Sequence, residues 1–307
     1  MEYRSLDEDE VDVFFVGTSH VYCGIDGMYI YENSGITTYN ISTSSERFDT
    51  AYLSLQEALK TQSPDVIFLD MSAIQYRDQA EEAKLHWLLD QIPLSLTKLQ
   101  YVLNCGNEEL TVLDALFPFF RYHSRWDELS QEDFQYLTGD LGLTFTRGHY
   151  ITYEIVETKL HFYEEYEGEE WNTITETAKT YISKIEELCK ENGIELIMFK
   201  IPTPEVWNIQ RSMLCVELAD EMGLTFWDLS YEVDEIGLDV STDFSDSSSH
   251  LNQYGAEKVS DYIMRYLEEN YDFADQRGNN ERWDEDLEKY KIYKEESREE
   301  TNQNNEQ

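Results

Sequence analysis

Short apolar runs alternate with amphipathic stretches along most of the chain, and this alternation constrains the fold more than any other feature. Val11-Asp12-Val13-Phe14-Phe15-Val16 is too short for a buried helix and stops at Gly17. Val66-Ile67-Phe68-Leu69 stops at Asp70, and Ile194-Glu195-Leu196-Ile197-Met198-Phe199 ends near Pro202. A shorter run, Leu224-Thr225-Phe226-Trp227, follows. Helix-like stretches separate them: Thr50 to Thr61, Thr173 to Asn192 before Gly193, Pro204 to Met222 before Gly223, and Asn252 to Glu269. Nearly continuous apolar strands joined by helices predict a parallel sheet covered on both faces. The expected fold is a three-layer α/β/α sandwich.

At 307 residues the chain has room for one large domain or two small ones. The regular alternation predicts one domain over residues 1–275. Residues 73–171 break the pattern and are rich in aromatics, including Phe117, Phe119, Phe120, Trp126 and Phe134. We read them as a mostly helical insertion packed over the sheet. Residues 276–307 turn acidic and polar and form a tail, partly disordered because its end has no apolar face. Trp283, Leu287 and Tyr290, spaced four and three apart, would pin part of it to the domain as a short helix.

Composition excludes several function classes. Sixty-four acidic side chains against 23 basic ones give a formal net charge of −41. Such a surface repels phosphate backbones, so nucleic acid is not an expected partner. No apolar run reaches the length of a transmembrane segment. Met1-Glu2-Tyr3-Arg4 lacks a signal-peptide pattern, which points to the cytoplasm. The four cysteines are widely spaced with no C-x-x-C pair, so no metal site is expected. No glycine-rich nucleotide motif follows any strand, and no cofactor is expected.

Two segments carry chemistry. Gly17-Thr18-Ser19-His20 follows the first strand directly. Ligands of open α/β sheets bind beyond the carboxyl ends of the strands, so a serine on that turn is placed to attack a bound acyl group. Gly17 permits a tight turn. A serine hydroxyl is a weak nucleophile and needs a base within reach. The second segment, Asp243-Phe244-Ser245-Asp246-Ser247-Ser248-Ser249-His250-Leu251-Asn252, puts a histidine on a loop ahead of the last helix. An acidic residue shortly before it would orient the imidazole. Taken singly, each segment also reads as a helix cap or a surface loop.

As a pair, the two segments resemble the first and last sequence blocks of the SGNH (GDSL-like) hydrolase superfamily. Gly17-Thr18-Ser19 is similar to the usual G-D-S, and Asp246…His250 to the usual D-x-x-H. The wording Phe15-Val16-Gly17-Thr18-Ser19-His20-Val21-Tyr22-Cys23, with His250-Leu251-Asn252 and Gly255-Ala256, resembles a bacterial G-[ST]-S-H branch similar to proteins of cell-envelope polysaccharide acylation. The resemblance spans residues 10–270. It implies an SGNH/flavodoxin-like sheet and a serine esterase or O-acyltransferase acting on acetyl or other acyl esters of a small molecule, a carbohydrate or an envelope polymer. Ser19 would be the nucleophile, His250 the base and Asp246 the acid. Relatives in this branch often carry a membrane anchor, which makes an extracytoplasmic domain the alternative location.

The chain departs from the family pattern at several points. The acid normally stands three residues before the histidine, where this chain has Ser247. Asp246 is four before, and Asp243 is the alternative acid. The stretch Asn40 to Ser45 offers no glycine, and Asp70-Met71-Ser72 replaces a glycine and an asparagine. Gly17, His20, Ser42 and Ser72 are the remaining candidates for holding an oxyanion or supporting the site, and the oxyanion hole is expected to be degenerate. His123, Arg125 and Trp126 form a basic–aromatic cluster in an acidic chain and are candidate substrate contacts; surface ion pairing is the plainer reading. A non-catalytic SGNH-like binding or assembly module is the alternative function, favoured by the missing donors.

Overall fold

The expected strands assemble into one parallel sheet, with one strand the sequence pattern did not reveal. The computed structural model describes residues 6–76, 82–92, 94–105, 110–116 and 144–305. Its strands are β1 (Val13–Gly17), β2 (Thr38–Ser42), β3 (Val66–Asp70), β4 (Glu195–Lys200) and β5 (Thr225–Asp228). They lie in the order β2-β1-β3-β4-β5, all parallel. β2 escaped the sequence reading because Thr38 and Asn40 alternate with its apolar residues. Both are nonetheless buried, and the Asn40 amide donates to the Ile25 carbonyl at 2.8 Å.

Helices cover both faces. After β1 come α1 (Ser19–Gly24) and α2 (Gly27–Ser34), and after β2 comes α3 (Phe48–Ala58). The insertion contributes α4 (Glu82–Gln91), α5 (Leu96–Asn104), α6 (Val112–Leu116) and the single turn α7 (Glu169–Asn172). Then follow α8 (Glu176–Asn192), α9 (Ile209–Met222), α10 (Val233–Ile236), α11 (Gln253–Asn270) and α12 (Glu281–Asn305). Strand side chains alternate between two cores. Phe14, Val16, Ile67, Leu69 and Met198 pack with Leu55 of α3, Ile182 and Ile185 of α8 and Leu218 of α9. Val13, Phe15, Phe68, Ile197 and Phe199 pack with Val21 of α1 and with Val259, Ile263 and Leu267 of α11. This is the three-layer α/β/α sandwich. Among the described residues no helix is long and apolar enough to cross a membrane.

Several elements differ from expectation in ways that bear on the site. α9 starts at Ile209 rather than at Pro204, because Asn208 caps it by accepting from the Arg211 N–H at 3.1 Å. In the insertion, α4, α5 and α6 bury a small core of their own, with Leu85, Leu89, Tyr101 and Val102 against Leu53 of α3. Residues 147–162 instead form an extended strap. Its N–H groups at Val156 and Thr158 donate to Phe244 and Val240, and the Thr158 hydroxyl donates to the Ser247 carbonyl at 3.2 Å. The strap thus braces the loop that carries Asp246 and His250. Phe117, Phe119, Phe120, His123, Arg125, Trp126 and Phe134 lie outside the described residues.

α12 extends through Glu295 to Asn305, beyond the short helix the apolar spacing suggested. Trp283, Leu287 and Tyr290 are buried. Tyr290 donates to Asp26, and the buried Arg147 guanidinium pairs with Asp286 at 2.9 Å. These anchors fix the first half of the helix, and backbone hydrogen bonding continues it into residues that have no apolar face.

Candidate active site

Strand order places the site. β1 and β3 are neighbours whose connections leave toward opposite faces of the sheet, which opens a crevice at their carboxyl ends. Gly17 ends β1 there and Asp70 ends β3. The two strands approach so closely that a Cβ on Gly17 would sit 2.4 Å from the Asp70 Cβ, so glycine is a steric requirement here. Thr18 then caps α1, accepting from the His20 N–H at 3.3 Å, and Ser19 is the first helical residue.

Ser19, His250 and Asp246 form one hydrogen-bonded chain. The Ser19 hydroxyl lies 2.7 Å from His250 Nε2, and His250 Nδ1 lies 2.5 Å from Asp246 Oδ2. The extra residue between acid and base is absorbed by a turn. Asp246 Oδ1 accepts from the backbone N–H groups of Ser248 at 2.8 Å, Ser249 at 2.6 Å and His250 at 3.3 Å. This curl turns Oδ2 toward the imidazole. Burial works to raise the Asp246 pKa, but the Ser249 N–H, the imidazole and the Ser248 N–H outweigh it and hold the carboxyl down at about 2. The acid is therefore ionised at neutral pH. It fixes the Nδ1–H tautomer, leaving the Nε2 lone pair to accept the serine proton.

Asp243 does not face the imidazole. It is buried against α11, where it pairs with Lys258 at 2.6 Å and accepts from the Asp239 N–H at 2.7 Å. Of the two candidate acids, Asp246 is the one hydrogen-bonded to the imidazole.

A second buried network lies beside the triad. The Asp70 carboxylate accepts from the Thr18 hydroxyl at 2.8 Å and from the Ser72 hydroxyl at 2.6 Å. With its proton committed to Asp70, Ser72 Oγ accepts from His20 Nδ1 at 2.6 Å. Burial, then the nearby Lys200 and His250, push the His20 pKa well below its usual value, so this imidazole is neutral. Its ring lies 5.7 Å from that of His250. Lys200, also fully buried, has its pKa lowered to about 8 by burial, against the opposing pull of Asp70 and Asp228. Ser42 ends β2 opposite Gly17, and its hydroxyl is buried without a hydrogen-bond partner. His20, Ser42, Ser72 and Gly17 thus all gather at this rim, while His123, Arg125 and Trp126 lie outside the described residues.

Sequence reasoning missed Tyr22. It stands one turn after Ser19 on α1, and its hydroxyl lies beside those of Ser19 and Ser44. Burial, with the Cys23 thiol nearby, raises its pKa, so it stays a neutral donor. Its backbone carbonyl accepts from the Tyr150 N–H at 2.8 Å and meets His149 Nδ1 at 2.8 Å, which ties α1 to the strap. The i, i+3 spacing from Ser19 was the available signal. Cys23 is itself no rival nucleophile, because burial and then the Asp246 charge raise its pKa far above neutrality.

A serine–histidine–aspartate chain at the switch point of a parallel α/β sheet has the geometry of a nucleophile with its base and orienting acid. No protein-family model and no curated protein matches the chain. Solved structures similar to this one include a GDSL-like lipase from Bacteroides thetaiotaomicron, at 10% identity and a TM-score of 0.39, covering 87% of this chain and 94% of the other. Another is an acetylxylan esterase from Geobacillus stearothermophilus, at 11% identity and a TM-score of 0.40, covering 85% and 95%.

Proposed function

We propose that this protein is a serine esterase or O-acyltransferase of the SGNH type that works through an acyl-serine intermediate on short acyl esters, acetyl first among them, of a carbohydrate or envelope polymer. The observation that carries the reading is the continuous chain Asp246–His250–Ser19. His250 takes the Ser19 proton as Oγ bonds to the acyl carbon. It then gives that proton to the leaving alcohol, releasing the alcohol and leaving an acyl-serine. Water or an acceptor hydroxyl, deprotonated by the same imidazole, attacks the acyl-serine and restores Ser19. The Ser19 backbone N–H and the Tyr22 hydroxyl supply the oxyanion donors. Ser72 supplies none, since its proton is directed to Asp70.

The test is hydrolysis of p-nitrophenyl acetate together with labelling by a fluorophosphonate probe. Both are expected in the native protein and both are lost in Ser19→Ala. Hydrolysis that persists in Ser19→Ala overturns the assignment of the nucleophile. Product analysis with an acetyl donor and an oligosaccharide acceptor separates transfer from hydrolysis.

A non-catalytic binding module is the second reading, favoured by the commitment of Asp70 to Thr18 and Ser72 and of Ser72 to Asp70 and His20. Good folding with no probe labelling selects it.

A further inference from the structure

His149 ties the helix of the nucleophile to the helix that follows the base. It is buried on the strap, where the left-handed residues Arg147 and Gly148 turn the chain just before it. Its Nδ1 lies 2.8 Å from the backbone carbonyl oxygen of Tyr22, three residues after Ser19. Its Nε2 lies 2.9 Å from Gln253 Oε1, three residues after His250. Two backbone bonds run alongside. The Tyr150 N–H donates to the same Tyr22 carbonyl at 2.8 Å, and the Gln253 N–H donates to the Thr152 carbonyl at 2.8 Å.

Both ring nitrogens thus face acceptors. A carbonyl oxygen has no proton to give, so each bond needs an N–H on the ring. The Gln253 amide is oriented by its other end, where Nε2 donates to Asp26 Oδ2 at 2.7 Å and to Glu257 Oε1 at 3.0 Å. Turning it round would set its oxygen against two carboxylates. Asp26 is fully buried, and the Tyr290 hydroxyl and the Tyr29 N–H, both neutral, also donate to it. The cations on this side of the strap have carboxylates of their own: Lys294 pairs with Glu257 at 2.6 Å and Arg147 with Asp286 at 2.9 Å. Tyr22, Cys23, Tyr150, Tyr153 and Tyr290 border the same region, and burial raises the pKa of each, so they stay neutral. Glu154 stands out in solvent.

We propose that His149 is a positioning residue that clasps α1 to the start of α11 only while both of its ring nitrogens carry protons. Its effect on activity rests on the esterase reading above. When the ring loses a proton, one nitrogen presents a lone pair to an oxygen, and one of the two bonds opens. Loss of the Tyr22 bond frees α1 from the strap, and loss of the Gln253 bond frees the first turn of α11. Either change loosens the frame that sets the 2.7 Å contact between Ser19 and His250. Low pH closes the clasp and high pH opens it.

The test follows the His149 ring by nitrogen NMR in the whole protein across about pH 5–9. Hydrogen-exchange protection factors of the Tyr150 and Gln253 amides and hydrolysis of p-nitrophenyl acetate are read at the same pH values. One transition is expected to link all three. As the ring passes from two protonated nitrogens to one, protection at one of these amides falls about tenfold, the loss of a charged hydrogen bond. The kcat declines on the alkaline side with the same midpoint. Asp26→Asn lets the Gln253 amide turn round and donate to the neutral ring, so protection and kcat then persist after the proton has left. A ring with one protonated nitrogen throughout, protection or kcat that ignores the charge on the ring, or an unchanged transition in Asp26→Asn overturns the clasp. A failed esterase reading is distinguishable: hydrolysis is absent at every pH, while ring protonation and amide protection still change together.

Discussion

The imidazole Nε2 of His250 lies 2.7 Å from the Ser19 hydroxyl across a sequence separation of 231 residues. The contact depends on two loops fixed from different sides. Gly17 and the Thr18 cap place Ser19 at the end of β1, while the Asp246 turn and the strap from Tyr150 onward hold His250 over it. Each support can be removed separately.

Asp246→Asn keeps the size of the side chain but presents an amide to the imidazole and no longer fixes the correct tautomer. Ester hydrolysis should fall by about 10³- to 10⁴-fold in kcat, with KM little changed. Asp243→Asn should leave kcat within a few-fold and lower the melting temperature, because Asp243 holds Lys258 and the Asp239 N–H. Steady-state kinetics on the two variants side by side checks the assignment, and a larger kcat loss in Asp243→Asn would reverse it.

Tyr22→Phe removes the hydroxyl beside Ser19 without disturbing the ring. A donor aimed at the developing oxyanion contributes mainly in the transition state, so kcat should drop about 10²-fold. KM for p-nitrophenyl acetate should stay near the native value. If kcat is unaffected, Tyr22 has no part in the reaction.

Gly17→Ala forces a methyl group into the Asp70 side chain. Overpacking of this kind costs about 1–3 kcal/mol. It should also displace Ser19, so activity is lost together with stability. Urea unfolding and ester hydrolysis on the same preparation measure both.

Glu46 gives a pH signature. It is buried, and burial raises its pKa to about 8, against hydrogen bonds from Thr43 and Ser54 that favour the charged form. The unfolded chain releases this proton near the ordinary value of 4.5, so between those values the native state holds more protons than the unfolded state. The contribution is therefore fully present below about pH 4.5 and is lost as pH rises through about 8. Glu46→Gln should flatten that part of the stability profile and raise stability most at about pH 9. Urea midpoints across this range test it, and an unchanged slope would sink the prediction.

Trp283→Ala opens a cavity where α12 packs against α2. The side chain is fully buried, its ring tilted against Tyr31 and lying under the Arg147 guanidinium at 4.2 Å. Destabilisation of about 3–5 kcal/mol is expected. A substitution with no effect on the urea midpoint would mean that α12 adds nothing to the fold.

Much of this molecule follows from local sequence. β1, β3 and β4 are apolar runs with both faces buried, and such runs are legible without a partner. Gly193 and Gly223 stop α8 and α9 where the chain turns left-handed, with φ of 72° and 68°. Ser19 and His250 could be singled out in the sequence because one follows the first strand directly and the other stands on a loop just ahead of the last helix. β2 was not legible, since its Thr38 and Asn40 are buried by neighbours that only the assembled sheet provides. Which of Asp246 and Asp243 meets the imidazole was equally hidden, because it depends on three backbone N–H groups curling onto one carboxylate oxygen. Tyr22 needed α1 to exist before its hydroxyl could meet Ser19. The strap along the His250 loop has no periodicity of its own and owes its shape to the surface it crosses. The chain by itself thus determined most of the strands, the long helices and the residue types that stand at their ends, since these depend on short-range periodicity. Which of those ends meet, and which acid lies against the imidazole beside the serine, was decided only by tertiary structure, because those contacts form once the sheet has brought distant ends together.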